Sequence, residues 1–123
     1  MKETIIIYFL QCKEQIKLQH WNTFSYSTHK TTDDLYSSLL DLVDEFVETM
    51  MGKYGRPVFP DTFPLEMEKP ENLDITLYLT QFAEYLISLS DELDPRIDTD
   101  LLNIRDEMLG KINQTKYLLT LNK

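Results

Sequence analysis

No glycine or proline interrupts the first 51 residues. The three glycines are Gly52, Gly55 and Gly110, and the prolines are Pro57, Pro60, Pro64, Pro70 and Pro95. Strands in small domains are short and closely punctuated by such residues, so windows this long favour helices. The apolar spacing agrees. Ile5, Phe9, Cys12, Ile16 and His20 recur at three or four residues, as do Leu35, Leu39, Leu42, Phe46 and Met50. Ile75, Leu79, Phe82, Leu86, Leu89 and Leu93 form a third stripe, and Ile97, Leu101, Ile104, Met108 and Ile112 a fourth. Each is the buried face of an amphipathic helix.

The pattern predicts four helices, over about 2–22, 28–54, 72–93 and 97–122. Thr28 and Asn72 are the expected N-caps of the second and third, and Asp98 or Thr99 that of the fourth, with Pro95 stopping the third. Short connections make helices one and two a hairpin, and likewise helices three and four. The proline-rich stretch "GRPVFPDTFPLEMEKP" is long enough to run back along a bundle. Two hairpins joined by one crossover is the ferritin-like topology. An up-down bundle with a long middle loop has the same periodicity.

At 123 residues, 42% of them hydrophobic, the chain is expected to form a single domain over 1–123. No apolar run approaches the roughly 20 residues of a membrane span. "TIIIYFL" lacks the flanks of a signal peptide. With Cys12 as the lone cysteine there is no internal disulfide, and a reducing, cytoplasmic setting is expected. The net charge of −9 opposes binding to a phosphate backbone and suits a surface that attracts cations. No nucleic-acid or membrane partner is expected.

The chemistry-bearing residues gather around the second helix. His29 and Asp33 lie four apart, as do Asp44 and Glu48, and both pairs fall on one stripe. They are separated by about 16 Å along the axis at 1.5 Å per residue. Two copies of this helix, antiparallel about a two-fold axis near residues 38 and 39, would bring them together. His29 and Asp33 of one copy would face Asp44 and Glu48 of the other, with Tyr36, Leu40 and Val47 supplying apolar contact. Imidazole and carboxylate suit Fe(II), and also Zn(II), Mn(II) or Co(II). His20 belongs to an apolar stripe, where a satisfied boundary histidine is the commoner case. Asp34, Asp41 and Glu45 are as acidic as the proposed ligands, so a solvated helix face is the competing reading.

"HWN" closing the first helix, followed by His29, Asp33, Asp44 and Glu48 at these spacings, resembles the Dps group of ferritin-like proteins, the mini-ferritins. The resemblance implies a ferroxidase centre shared by two chains, a hollow dodecamer, and iron oxidised by hydrogen peroxide or oxygen and stored as ferric mineral under oxidative stress. It implies His20, His29 and Asp33 from one subunit, with Asp44 and Glu48 from its partner, as both metal ligands and catalytic residues of a di-iron site. Zn or Mn would be substitutes, and Trp21 a bulky shield beside the site. The first helix is expected to begin almost at once, without the lysine-rich N-terminal arm through which some members bind DNA, so that activity is not expected here. The rival expectation is a non-enzymatic helical-bundle oligomer or interaction protein, with no metal or a structural metal only.

Overall fold

The computed structural model describes residues 2–121. Its helices are α1 (Lys2–Asn22), α2 (Tyr26–Tyr54), α3 (Ile75–Glu92) and α4 (Thr99–Leu118), with a 3-10 turn at Pro70–Asn72 and no strand among the described residues. The all-helical bundle expected from periodicity is present. α1 starts where expected, the starts of α2, α3 and α4 differ by two or three residues, and capping explains two of these. Ser25, in extended conformation, accepts from the Thr28 amide through Oγ at 3.2 Å, so α2 begins ahead of Thr28. Asp74 accepts from the Leu77 amide and caps α3, while Asn72 is taken up by the 3-10 turn. Asp98 holds the cap position of α4 without capping it; its side chain turns back into the α3–α4 corner. Gly55 ends α2 at φ +82°, a backbone region that a side chain would disfavour.

Each helix packs on two neighbours: α1 on α2 and α3, and α4 on α2 and α3. At one end Lys2 lies over the Tyr54 ring and Lys53 reaches Asp100, which brings together the start of α1, the end of α2 and the start of α4. Residues 55–74 then return the chain to the other end, where α3 begins. Neighbouring helices are therefore antiparallel. The four stripes meet in a core around Phe9, Phe46 and Phe82, with Phe9 edge-on to Phe46 at 5.2 Å. Ile97 leaves its expected stripe: it is 60% exposed, in the turn before α4. Arg105 donates to the Leu86 carbonyl at 2.7 Å and ties α4 to α3. No described helix is long and apolar enough to cross a membrane.

The returning segment is held by a ladder of glutamines. Gln11 Oε1 accepts from the Glu66 amide at 2.7 Å, and Gln15 Oε1 accepts from the Glu68 amide at 2.7 Å. Gln15 Nε2 donates to the Glu68 carbonyl, and Gln19 Nε2 to the Pro70 carbonyl. Four residues of helix rise about 6 Å, and two residues of extended chain about 6.5 Å. Glutamines at i, i+4 and i+8 therefore match every second residue of a strand-like segment lying parallel to α1.

Candidate functional site at the α1–α2 corner

The turn between α1 and α2 is short and fully braced. The Thr23 amide donates to the Gln19 carbonyl, and the Ser25 amide to Thr23 Oγ1. His20 sits in the last turn of α1 and His29 in the first turns of α2. Their rings stack at 3.9 Å between centroids with 20° between planes. His20 Nδ1 lies 2.7 Å from the His29 carbonyl, and His29 Nδ1 lies 2.8 Å from the His20 carbonyl. A carbonyl only accepts, so both Nδ1 atoms carry the proton, and in the neutral rings both Nε2 atoms keep a lone pair. The His20 carbonyl belongs to the last turn of α1, where helical geometry offers it no partner. His29 supplies one.

Asp33 approaches this pair, with Oδ1 3.9 Å from His20 Nε2. One chain thus brings His20, His29 and Asp33 to one place. Asp44 and Glu48 are exposed, about three turns further along α2. Among the described residues no three His, Cys, Asp or Glu side chains form a group able to hold a metal ion. The donor chemistry suits a borderline transition metal, but one chain does not complete a site; the carboxylates of a second copy would have to close it. Trp21 does not shield the pair. It is 67% exposed, with Lys17 Nζ 5.4 Å from its ring centre.

Trp21 has company. Phe24 is fully exposed and Tyr26 is 77% exposed, so three large aromatic groups project from one braced corner. Residues 15–32 contain Lys17, Lys30 and both histidines, and no aspartate or glutamate, in a chain with 21 acidic residues. Behind Phe24 a hollow of about 430 Å³ runs to Pro70, Leu73 and Ile75. Across the 3-10 turn lies a second, of about 420 Å³, lined by Glu66, Glu68, Asp74, Leu77 and Tyr78. The aromatic corner, flanked by Lys17 and Lys30, and the acidic hollow lie toward the same end of the bundle. Periodicity could not reveal this, because the aromatics lie where the helical pattern stops. The glutamine spacing at 11, 15 and 19 is a signal for the path of the crossover, but a weak one, because glutamine on a helix is ordinarily a solvated residue.

Two further clusters are structural. Burial pushes the Cys12 thiol up to about 11, although the Tyr78 and Tyr8 hydroxyls pull the other way. The same burial raises Tyr8 and Tyr78 well above the ordinary tyrosine range and Tyr85 up to about 12. Such a thiol is packed and protonated, not a nucleophile. At the opposite end of the bundle Asp98 accepts from the Tyr54 hydroxyl and from the Asp94 amide, with Lys53 Nζ at 3.6 Å. Burial works to raise the Asp98 carboxyl, and these partners together hold it below its usual range.

Residues 20–119 match a family of unknown function (DUF5856). The chain is also similar to a protein of Enterobacteria phage T4, the "Uncharacterized 14.6 kDa protein in mobD-ri intergenic region", with 33% identity over 105 residues. That match covers 83% of this chain and 74% of the phage protein. No solved structure matches. The resemblance to Dps is thereby corrected: the matching family spans the segment from His20 through α4 on which that likeness rested, and it is not Dps. The iron-binding, ferroxidase and iron-storage roles that the likeness implied are withdrawn with it. The physical reason is the weakness of the spacing. Carboxylates at three- and four-residue intervals recur on any acidic amphipathic helix, and a histidine in the end turn of a helix can serve a neighbouring carbonyl, as here.

Proposed function

We propose that this chain, which belongs to the family of unknown function DUF5856, is a non-enzymatic helical-bundle interaction protein that works in association with copies of itself. The observation that carries this reading is the exposure of Trp21, Phe24 and Tyr26 on one braced corner. Exposed aromatics of this size on a pre-ordered support are the residues that supply binding energy at protein interfaces. Self-association draws further support from α2. Leu40 is 41% exposed there, and Tyr36 and Val47 are half-buried on the same helix. Two α2 helices antiparallel about a two-fold axis would cover all three.

The same pairing would set His20, His29 and Asp33 of one copy near Asp44 and Glu48 of the other. A metal bound there has a structural role, as a staple between copies, with Zn(II) or Mn(II) as the suitable ions. The antiparallel neighbours and the returning segment along α1 support a ferritin-like reading of the architecture, as a matter of shape alone. The test is the mass of the protein in solution with and without Leu40→Glu. The substitution places charge on an exposed position, so folding is kept. A fall in mass supports the α2 contact, and an unchanged oligomer removes it.

A further inference from the structure

We propose that the aromatic corner of one copy, with Lys17 and Lys30 beside it, seats in the acidic hollow of a second copy, and reciprocally, about a two-fold axis at that end of the bundle. The inference rests on the self-association reading and names a contact distinct from the one along α2. Three observations carry it.

The first is charge. In a protein of net charge −9, Lys17 and Lys30 stand at the corner, with Asp33 and Asp34 behind them on α2, while Glu66, Glu68 and Asp74 line the hollow across the 3-10 turn. Among the described residues Lys30 is engaged by a surface pair with Asp34 at 3.9 Å, the kind of contact that yields readily to a better one. The second is apolar matching. Trp21, Phe24 and Tyr26 project outward, and Leu77, on the wall of the hollow, is 55% exposed. Three aromatic side chains bury about 150–250 Å² each when covered. That is over half of the roughly 800 Å² per partner found in stable complexes.

The third is symmetry. A two-fold contact requires projection and receptacle on one face, so that each copy gives and receives in a single encounter. Gln19, bonded to the Pro70 carbonyl, links the corner directly to the turn that borders the hollow. The His20–His29 clasp and the Ser25 cap hold the corner in its binding shape, which lowers the ordering cost of association.

Trp21 is the sole tryptophan, so its emission reports this contact directly. The experiment follows that emission on dilution from tens of micromolar, with mass measured in parallel. Three proteins are compared: the native chain, a Lys17→Glu/Lys30→Glu variant and a Glu66→Lys/Glu68→Lys variant. All four substituted side chains reach solvent, so the fold is spared. The native emission is expected to shift to longer wavelength on dilution. Each variant alone pairs like charges at both contacts and is expected to weaken association at least tenfold. An equimolar mixture of the two pairs opposite charges at both contacts and is expected to restore it. Phe24→Ser, at a fully exposed position, is expected to weaken association without lowering stability. Emission independent of concentration in a protein whose mass still responds to Leu40→Glu overturns the corner contact and leaves the α2 contact standing. Failure of the mixture to recover also overturns it. A monomer at every concentration overturns both readings.

Discussion

His20 and His29 lie face to face, and each donates its Nδ1 proton to the other's backbone carbonyl, at 2.7 and 2.8 Å. The relationship joins the last turn of α1 to the first turns of α2 and sets the angle at which the aromatic corner is presented. Removing either ring takes away one of the two bonds and the stacking contact that steadies the ring making the other. His29→Ala strands the His20 carbonyl and is expected to lower stability by about 1–3 kcal/mol, while His20→Ala is expected to cost less, because the His29 carbonyl keeps the Thr32 hydroxyl at 3.2 Å. The double substitution is expected to cost little more than the worse single one, because the two bonds act as a unit. Urea unfolding of the three variants measures this, and additive effects would show the two rings to be independent.

Gln15 is fully buried and holds both backbone groups of Glu68. Gln15→Leu keeps the volume roughly and strands an amide and a carbonyl. A loss of about 1–3 kcal/mol is expected, with faster protease cleavage between residues 55 and 69. Gln11→Ala, at a half-exposed position with a single bond to the Glu66 amide, is expected to do less. Equal cleavage in both variants and the native protein would show that the ladder does not restrain the segment.

Cys12 is expected to resist a thiol reagent at pH 8 in the native protein and to react only as fast as the chain opens. Its thiol is buried and raised to about 11. Tyr8, Tyr78 and Tyr85 are raised with it. A folded value above the unfolded one gives stability that is complete below the unfolded value and lost as pH rises past it. The melting temperature is therefore expected to fall as pH climbs beyond about 9–10, where the unfolded thiol and phenols ionise first. A melting temperature level to pH 11 would contradict this.

Asp98 carries the opposite sign. Its carboxyl is held low against the effect of burial, by Tyr54, the Asp94 amide and Lys53. Its contribution is present above the unfolded value of about 4 and lost as pH falls through the lower folded value. Asp98→Asn is expected to lower stability at pH 7 and to flatten its decline between about pH 4 and pH 2. An unchanged acid limb would locate the acid-sensitive group elsewhere.

How much of this was legible in the sequence follows from which forces are local. Ile16, Leu39, Phe82 and Met108 could be placed in the core because a helix repeats its buried face every three or four residues. The caps were displaced because Ser25 and Thr28, or Asn72 and Asp74, are equally good capping residues and only backbone geometry chooses between them. His20, His29 and Asp33 lie together because all three sit within about two turns of the α1–α2 connection. Their use as a clasp between carbonyls was not legible, because imidazole serves as ligand, acid or donor with the same spacing. The acidic hollow is assembled from the crossover and α3, whose relation to α1 depends on the glutamine ladder.

The central claim is association between copies, and the most direct measurement is the mass of the native protein by sedimentation across a dilution series at moderate salt. A dimer or larger species at tens of micromolar, dissociating toward monomer on dilution, is the expected result. A strictly monomeric mass at every concentration would contradict it.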